Sequence, residues 1–366
     1  LAKIFRYVGF AEESTPGVPE TEAEMHCDAQ SCSPGTPDNP EMEYNGSMGR
    51  GRTIHRPGFY STKPKFEVGC DLKILARMMY FALGNRIIGG VTEGDGSPTD
   101  EPDTSTEYIY PTDDILLPTF TGWFGIDLED EGETIVPGCV LDKLELSVDK
   151  EFITLKGDMQ GGMETNGPLK SEDDLKKNED YPLAFYECNV HMRDKGSATP
   201  WGEATLISRD VKKFSFPIEN SAKAEDGQGL GKRDPYYIPA GERKIGYSFD
   251  YTYLTKKWYK LMQGGDNPQQ KVGSTEFEMM VEFDAGKYGS AQFYFPRVIV
   301  VGGANPESKG RDPITQNISI DAYQETVTIP TTPAQTVYSE CLCTFVHKFK
   351  DTTEAFDGPA LWDVSP

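Results

Sequence analysis

The sequence predicts a mainly β protein of two tandem β-sandwich or barrel domains, each carrying one flanking α-helix. Three observations point there. Several stretches alternate apolar and polar residues with a period of two. The 37 glycines and 26 prolines favour many short elements joined by turns. One strand-to-helix unit also occurs twice, as Lys65-Phe-Glu-Val-Gly-Cys-Asp71-Leu-Lys-Ile-Leu75 and as Lys244-Ile-Gly-Tyr-Ser-Phe-Asp250-Tyr-Thr-Tyr-Leu254. Lys65/Lys244, Asp71/Asp250 and Leu75/Leu254 share one offset of 179 (250 − 71), and Gly84 and Gly264 differ from it by one residue. A chain of 366 residues exceeds one ordinary core, so the expected domains are 1–199 and 200–366.

Taken in order, residues 10–58 read as an irregular arm. The signals are Pro16-Gly17 and the breaker run Cys32-Ser-Pro-Gly-Thr-Pro-Asp-Asn-Pro40. The first helix starts at Asp71, which caps free N–H groups. It carries Leu75, Met78, Met79 and Ala82 at helical spacing and stops at Gly84. In the second copy Leu254, Trp258, Leu261 and Met262 share a face, so Leu75, Met79, Leu254 and Trp258 are the expected helix-packing core. Each helix should lay one stripe on a sheet.

Between the helices, Val140–Asp149 places Leu144, Leu146 and Val148 on one face, and a turn at Asp149-Lys150 leads into Phe152–Asp158. Later, Glu276–Asp284 alternates acids with Phe277, Met279, Val281 and Phe283, and Asn317–Ala322 repeats the pattern. Acidic segments at Val91–Glu107 and Lys170–Asp180 read as solvated loops, the second within a polar surface excursion from Gln160 to Asp180. Late in each copy comes a strand with Glu-Cys, at Glu187-Cys188 and Glu340-Cys341.

The balance of 36 basic against 59 acidic residues gives a net charge of −23, which disfavours recognition of nucleic acid through its phosphates. No segment reaches the ~18–20 apolar residues of a membrane span. The start, Leu1-Ala-Lys-Ile-Phe-Arg-Tyr7, lacks the apolar core of a signal peptide. Seven irregularly spaced cysteines fit a reducing compartment.

Catalytic motifs are not found. Gly227-Gln-Gly-Leu-Gly-Lys232 lacks the flanking strand and helix of a phosphate loop and reads as a glycine-rich loop. Asn45-Gly-Ser-Met-Gly49 misses the nucleophile-elbow pattern. Cys188-x-x-His191 and His26-Cys27…Cys32 do not supply four zinc ligands, and Asp95–Asp100 lacks the distal Glu of a calcium loop. No catalytic, cofactor or metal residues are assigned, and no enzyme is expected.

Three segments together resemble the tail tube proteins of long-tailed (siphovirus-type) bacteriophages. They are Gly9-Phe-Ala-Glu-Glu-Ser-Thr-Pro-Gly17, with its E-x-T-P-G opening; the unit from Pro64 through Asp71 to Gly84; and the hairpin from Pro137 to Val148 with Phe152–Gly157. The resemblance implies sheets that close into a ring-shaped β-barrel on oligomerisation, and it carries no catalytic residues. Many members hold one copy of the tube fold and form hexamers, so two copies imply a trimer imitating six-fold symmetry. The partners implied are further copies of the chain, the tape-measure protein, and tail terminator or baseplate proteins. DNA would be met only in passing, membrane not at all, and the location would be the virion tail after assembly in the host cytoplasm.

Joining sheets between subunits would satisfy the edge strands. Glu276, Glu278, Glu282 and Asp284, with Glu145 and Asp149, are then candidates for an acidic bore, and the arm and the loops around Thr92–Tyr108 for contacts between rings. Two other readings stand beside this one. The first is a secreted carbohydrate-active hydrolase with two acids about 5–10 Å apart. The second is an adhesin-type binding module using Trp123, Trp201 and Trp362.

Overall fold

The computed structural model describes residues 6–36, 41–44, 54–92, 103–126, 132–149, 151–177, 182–252, 256–264, 275–303 and 315–349. Strands β1 (Arg6–Glu12), β2 (Met25–Ser33), β3 (Glu41–Tyr44), β4 (Ile54–Pro57) and β5 (Lys65–Gly69) precede helix α1 (Leu72–Leu83). After it come β6 (Gly84–Thr92), β7 (Asp103–Pro111), β8 (Phe120–Ile126), the long β9 (Glu133–Val148), β10 (Thr154–Gln160) and β11 (Thr165–Gly167). The remainder holds β12 (Cys188–Asp194), β13 (Thr205–Leu206), β14 (Val211–Glu219), β15 (Lys244–Thr252) and helix α2 (Lys257–Gln263). It ends with β16 (Phe277–Asp284), β17 (Gly289–Gly302), β18 (Thr315–Ala322), β19 (Glu325–Ile329), β20 (Gln335–Ser339) and β21 (Leu342–Phe349).

Six strands close a barrel. The order is β1–β2–β5–β10–β9–β8 and back to β1, every pairing antiparallel. In the second half β14, β15, β18, β17, β16 and β12 pair antiparallel in that order. β12 then pairs with β13, which leads along the chain towards β14.

β9 joins the two sets. Its later half holds β10 on one edge and β14 on the other. One eight-stranded sheet therefore runs β2–β5–β10–β9–β14–β15–β18–β17. Val68, Leu155, Leu146 and Phe216 are successive partners across it, as are Tyr247, Ile320 and Val300 further on. All seven are buried. Each such burial is worth about 1.5–3 kcal/mol. A one-residue slip would turn a whole strand's apolar set outward, so register is fixed by the core.

α1 begins where the sequence places it. Asp71 accepts a hydrogen bond from Ile74 N at 2.8 Å, and Gly84, at φ 93°, donates to Tyr80 O. Ten of its twelve residues are buried, more than one stripe, because α1 packs against β7, β9, β6, β17 and β21. Leu75 and Met79 are fully buried. Trp258 on α2 is 1% exposed and packs edge-on against Phe249, Tyr251 and Phe277. Leu254 lies outside the described residues.

Several expectations are corrected. The arm expected over 10–58 is in part barrel, since Phe10 lies on β1 and 25–33 forms β2; the breakers flank β2 without interrupting it. Residues 103–107, read as loop, belong to β7 and pair with β21, from Asp103 opposite Phe349 to Glu107 opposite Phe345. The excursion from Gln160 docks on the barrel. β11 pairs with β9, and Lys176 N donates to His26 Nδ1 at 3.0 Å.

Asp250 is not a helix cap. The aromatic and β-branched Tyr251-Thr252 prolong β15, and α2 starts at Lys257. The two Glu-Cys segments hold different places: Cys188 opens β12, which pairs with β16, while Cys341 precedes β21, which pairs with β17 and β7. Residues 188–194 thus pair with strands beyond the expected division at 199/200.

Candidate assembly interface

The outward face of the eight-stranded sheet is polar and laced with ion pairs between neighbouring strands. Lys65–Asp158 measures 3.2 Å, Lys156–Glu67 2.9 Å, Lys143–Glu219 3.2 Å and Lys213–Asp149 3.9 Å. Ser215 Oγ donates to Glu145 Oε1 at 2.8 Å. Exposed pairs of this kind contribute about 0–1 kcal/mol each, so stability alone does not explain such a face. It has one polar surface spread across both halves of the chain.

The β9–β14 junction holds the halves together. Its ladder runs from Phe214 opposite Val148 to Glu219 opposite Lys143. Asn220 locks the end: its Nδ2 donates to Ala82 O and Leu141 O, both at 3.0 Å, and its backbone N to Asp142 O at 2.7 Å. Asp142 Oδ1 accepts from Ala222 N at 2.8 Å, and burial pushes its carboxyl above the usual range. One side chain thereby ties α1, β9 and β14 into a single block.

The sequence-derived acids divide between two places. Glu145 and Asp149 lie on or beside β9, on the face just described. Glu276, Glu278, Glu282 and Asp284 lie on or beside β16, which is not among the eight strands. Glu276 meets Lys195 and Arg297 at 2.9 Å, and hydrogen bonds from both hold its carboxyl below the usual range. Glu278 is buried and accepts from Arg193 Nε at 2.7 Å, Gly196 N at 2.8 Å and Tyr294 OH at 3.2 Å. Glu282 accepts from Gln292 Nε2 at 3.0 Å, and Asp284 from Gly286 N at 2.9 Å.

Other residues give no periodic signal and are missed by sequence reasoning. Glu13, in the E-x-T-P-G segment, is buried and accepts from Gly17 N and Gly138 N at 2.7 Å and from Thr121 Oγ1 at 2.9 Å. It pins that turn to β8 and β9. Arg77, buried in α1, meets Glu24 and, at 3.3 Å, Glu12. Burial opposes both charges of the Arg77–Glu24 pair, drawing the guanidinium down to about 10 and pushing the Glu24 carboxyl up. Trp123 is buried beside Ala11 and Ala23, Trp201 stacks with Arg193 at 4.1 Å, and Trp362 lies outside the described residues.

Large apolar side chains stand exposed beyond both ends of the junction ladder. Phe152, Phe185 and Tyr186 lie past the β9 end, and Phe185 N bonds Glu151 O. Ile115, Leu116, Tyr236 and Tyr237 lie past the β14 end, where Ala240 N bonds Ile115 O.

A closed antiparallel barrel, extended by a shared sheet with one polar face, defines a mainly β, barrel-containing protein. The chain belongs to the phage tail tube protein family, which matches residues 6–322, from the first residue of β1 to the last of β18. No curated protein matches the chain.

Proposed function

We propose that this chain is a ring-forming tail tube subunit made of two tandem copies of one barrel fold, and that its eight-stranded sheet lines the channel. The continuous sheet across both halves, polar on its outward face, carries the reading. The pairing orders support the duplication. β1, β2, β5, β8, β9 and β10 correspond to β12, β13–β14, β15, β16, β17 and β18, a helix follows β5 and β15, and β11 and β21 take the same edge of β9 and β17. The boundary between copies then falls between Lys177 and Cys188.

Three chains would bring six barrels and 24 strands (3 × 8) to one ring, the pseudo-six-fold trimer that duplication implies. The bore carries Lys143, Glu145 and Asp149 in a wall of paired charges, which offers DNA no run of uncompensated cations and so little counterion release. Glu276, Glu278 and Glu282 serve instead to bind β16 to its neighbours, and Asp284 to hold the turn that follows it. The apolar patches at the two ends of the junction suit stacking of one ring on the next, with tape-measure, terminator and baseplate proteins as further partners in the virion after assembly in the host cytoplasm.

Purified protein viewed by electron microscopy, with sedimentation in parallel, tests this reading. Expected are stacked open rings of three chains with interfaces above about 2,000 Å². A compact monomer at every concentration would contradict it.

A further inference from the structure

Two buried thiols face one another across the strands that lead into α1. We propose that Cys27 of β2 and Cys70, which follows β5, form a dithiol pair that a small disulfide oxidises to a cross-strand bridge. This goes beyond the tube reading and does not depend on it.

Register places the two side by side. β2 and β5 run antiparallel with Ala29 opposite Val68. Two residues further along each strand, the same register sets Cys27 opposite Cys70. The bulge in this ladder lies between Ala29 and Ser31, on the far side from the cysteines, and leaves that count intact.

The backbone shows which kind of pair this is. Cys70 N donates to Ile153 O at 2.9 Å, and Cys70 O accepts from Leu183 N at 2.7 Å. Ile153 immediately precedes β10, the strand on the other edge of β5, so both groups point away from β2. Towards β2, Cys70 therefore belongs to a non-hydrogen-bonded pair, whose Cα atoms approach to about 4.5 Å. A disulfide spans about 4.4–6.8 Å between Cα atoms. Alternation turns both side chains into the core, Cys70 in line with Phe66 and Val68, and Cys27 with Met25. Both are free thiols. Cys70 Sγ donates weakly to Asp71 O at 3.8 Å, so a turn about χ1 exchanges that contact for the S–S bond.

Burial first, then the Asp71 carboxylate, pushes both thiols well above their ordinary range. The thiolate is the attacking species, so the pair reacts slowly while β2 and β5 stay closed. In the exchange one thiolate attacks the small disulfide, forming a mixed disulfide and releasing one small thiol. The second protein thiolate then displaces the other. Two protein S–H bonds are lost and one S–S bond forms, while the reagent takes both electrons and both protons. The bridge joins positions 43 apart (70 − 27), ties β2 to the start of α1, and removes freedom from the unfolded chain.

The test incubates the purified full chain with oxidised glutathione, then alkylates it under denaturing conditions for peptide mass spectrometry. Expected are a linked peptide joining Cys27 to Cys70, absent after dithiothreitol, and a thermal midpoint about 5 °C above that of the reduced protein. Cys27→Ala and Cys70→Ala should each lose the link and the rise. If either variant fails to fold, the linked peptide from the parent chain still decides. Full alkylation of Cys27 and Cys70, after an incubation that links the denatured chain, overturns the proposal. So does oxidation that joins Cys341 to Cys343 and leaves this pair free. Ring formation is read separately by electron microscopy, so neither result stands in for the other.

Discussion

Arg77 shows how much a single buried charge commits a core to its neighbours. Its side chain is 3% exposed, and it holds Glu24 and Glu12, each near a quarter exposed, while Tyr80 OH donates to Glu12 at 2.8 Å. Arg77→Met leaves those carboxylates without their cation and should cost about 3–5 kcal/mol, read from urea unfolding at neutral pH. A loss under about 1 kcal/mol would mean that water already screens the pair. His26 acts through its neutral form. Burial first, then Lys170, Lys176 and Lys177, draws its imidazole down to about 4. The unfolded chain takes up the proton below about 6.5 while the folded one resists. Stability is therefore full above that pH and falls as pH drops from 6.5 towards 4. His26→Gln should flatten this limb of the urea midpoint against pH; an unchanged slope would assign it to other groups. Neither residue was legible in the sequence. Arg77 interrupts an apolar helix with no sign of its partners, and the acids that meet it are separated by 65 and 53 residues.

Elements were legible where local rules act alone. Asp71 and Gly84 mark α1 because a cap and a left-handed stop are local devices, and Leu144, Leu146 and Val148 mark β9 by alternation. What alternation cannot say is which sheet a strand joins. The Glu276–Asp284 stripe and Glu145 share a period, yet one borders β12 and the other β14, a difference set by pairings far along the chain. β2 was hidden because its polar half is exposed and breakers stand on both sides of it. The junction itself depends on Asn220, for which no pattern exists. Asn220→Ala strands two buried carbonyls, those of Ala82 and Leu141, and should lower stability by about 1–3 kcal/mol. The expected signature is a lower urea midpoint at unchanged slope. A lower slope would instead mean that the halves unfold separately.

At the scale of the whole molecule two strand sets share one continuous sheet through β9 and β14. One barrel closes on itself, a second strand set follows the same pairing order, and a common sheet runs between them from β2 to β17. The strand-and-helix signal read at Asp71 and Asp250 meets a helix after β5 and another after β15, although α2 starts only at Lys257. The most direct measurement is a cryo-electron microscopy map of assembled protein at side-chain resolution. The account expects eight adjacent strands from each chain around the bore, with Lys143, Glu145 and Asp149 facing it. A map in which that face lies on the outside of the particle would contradict it.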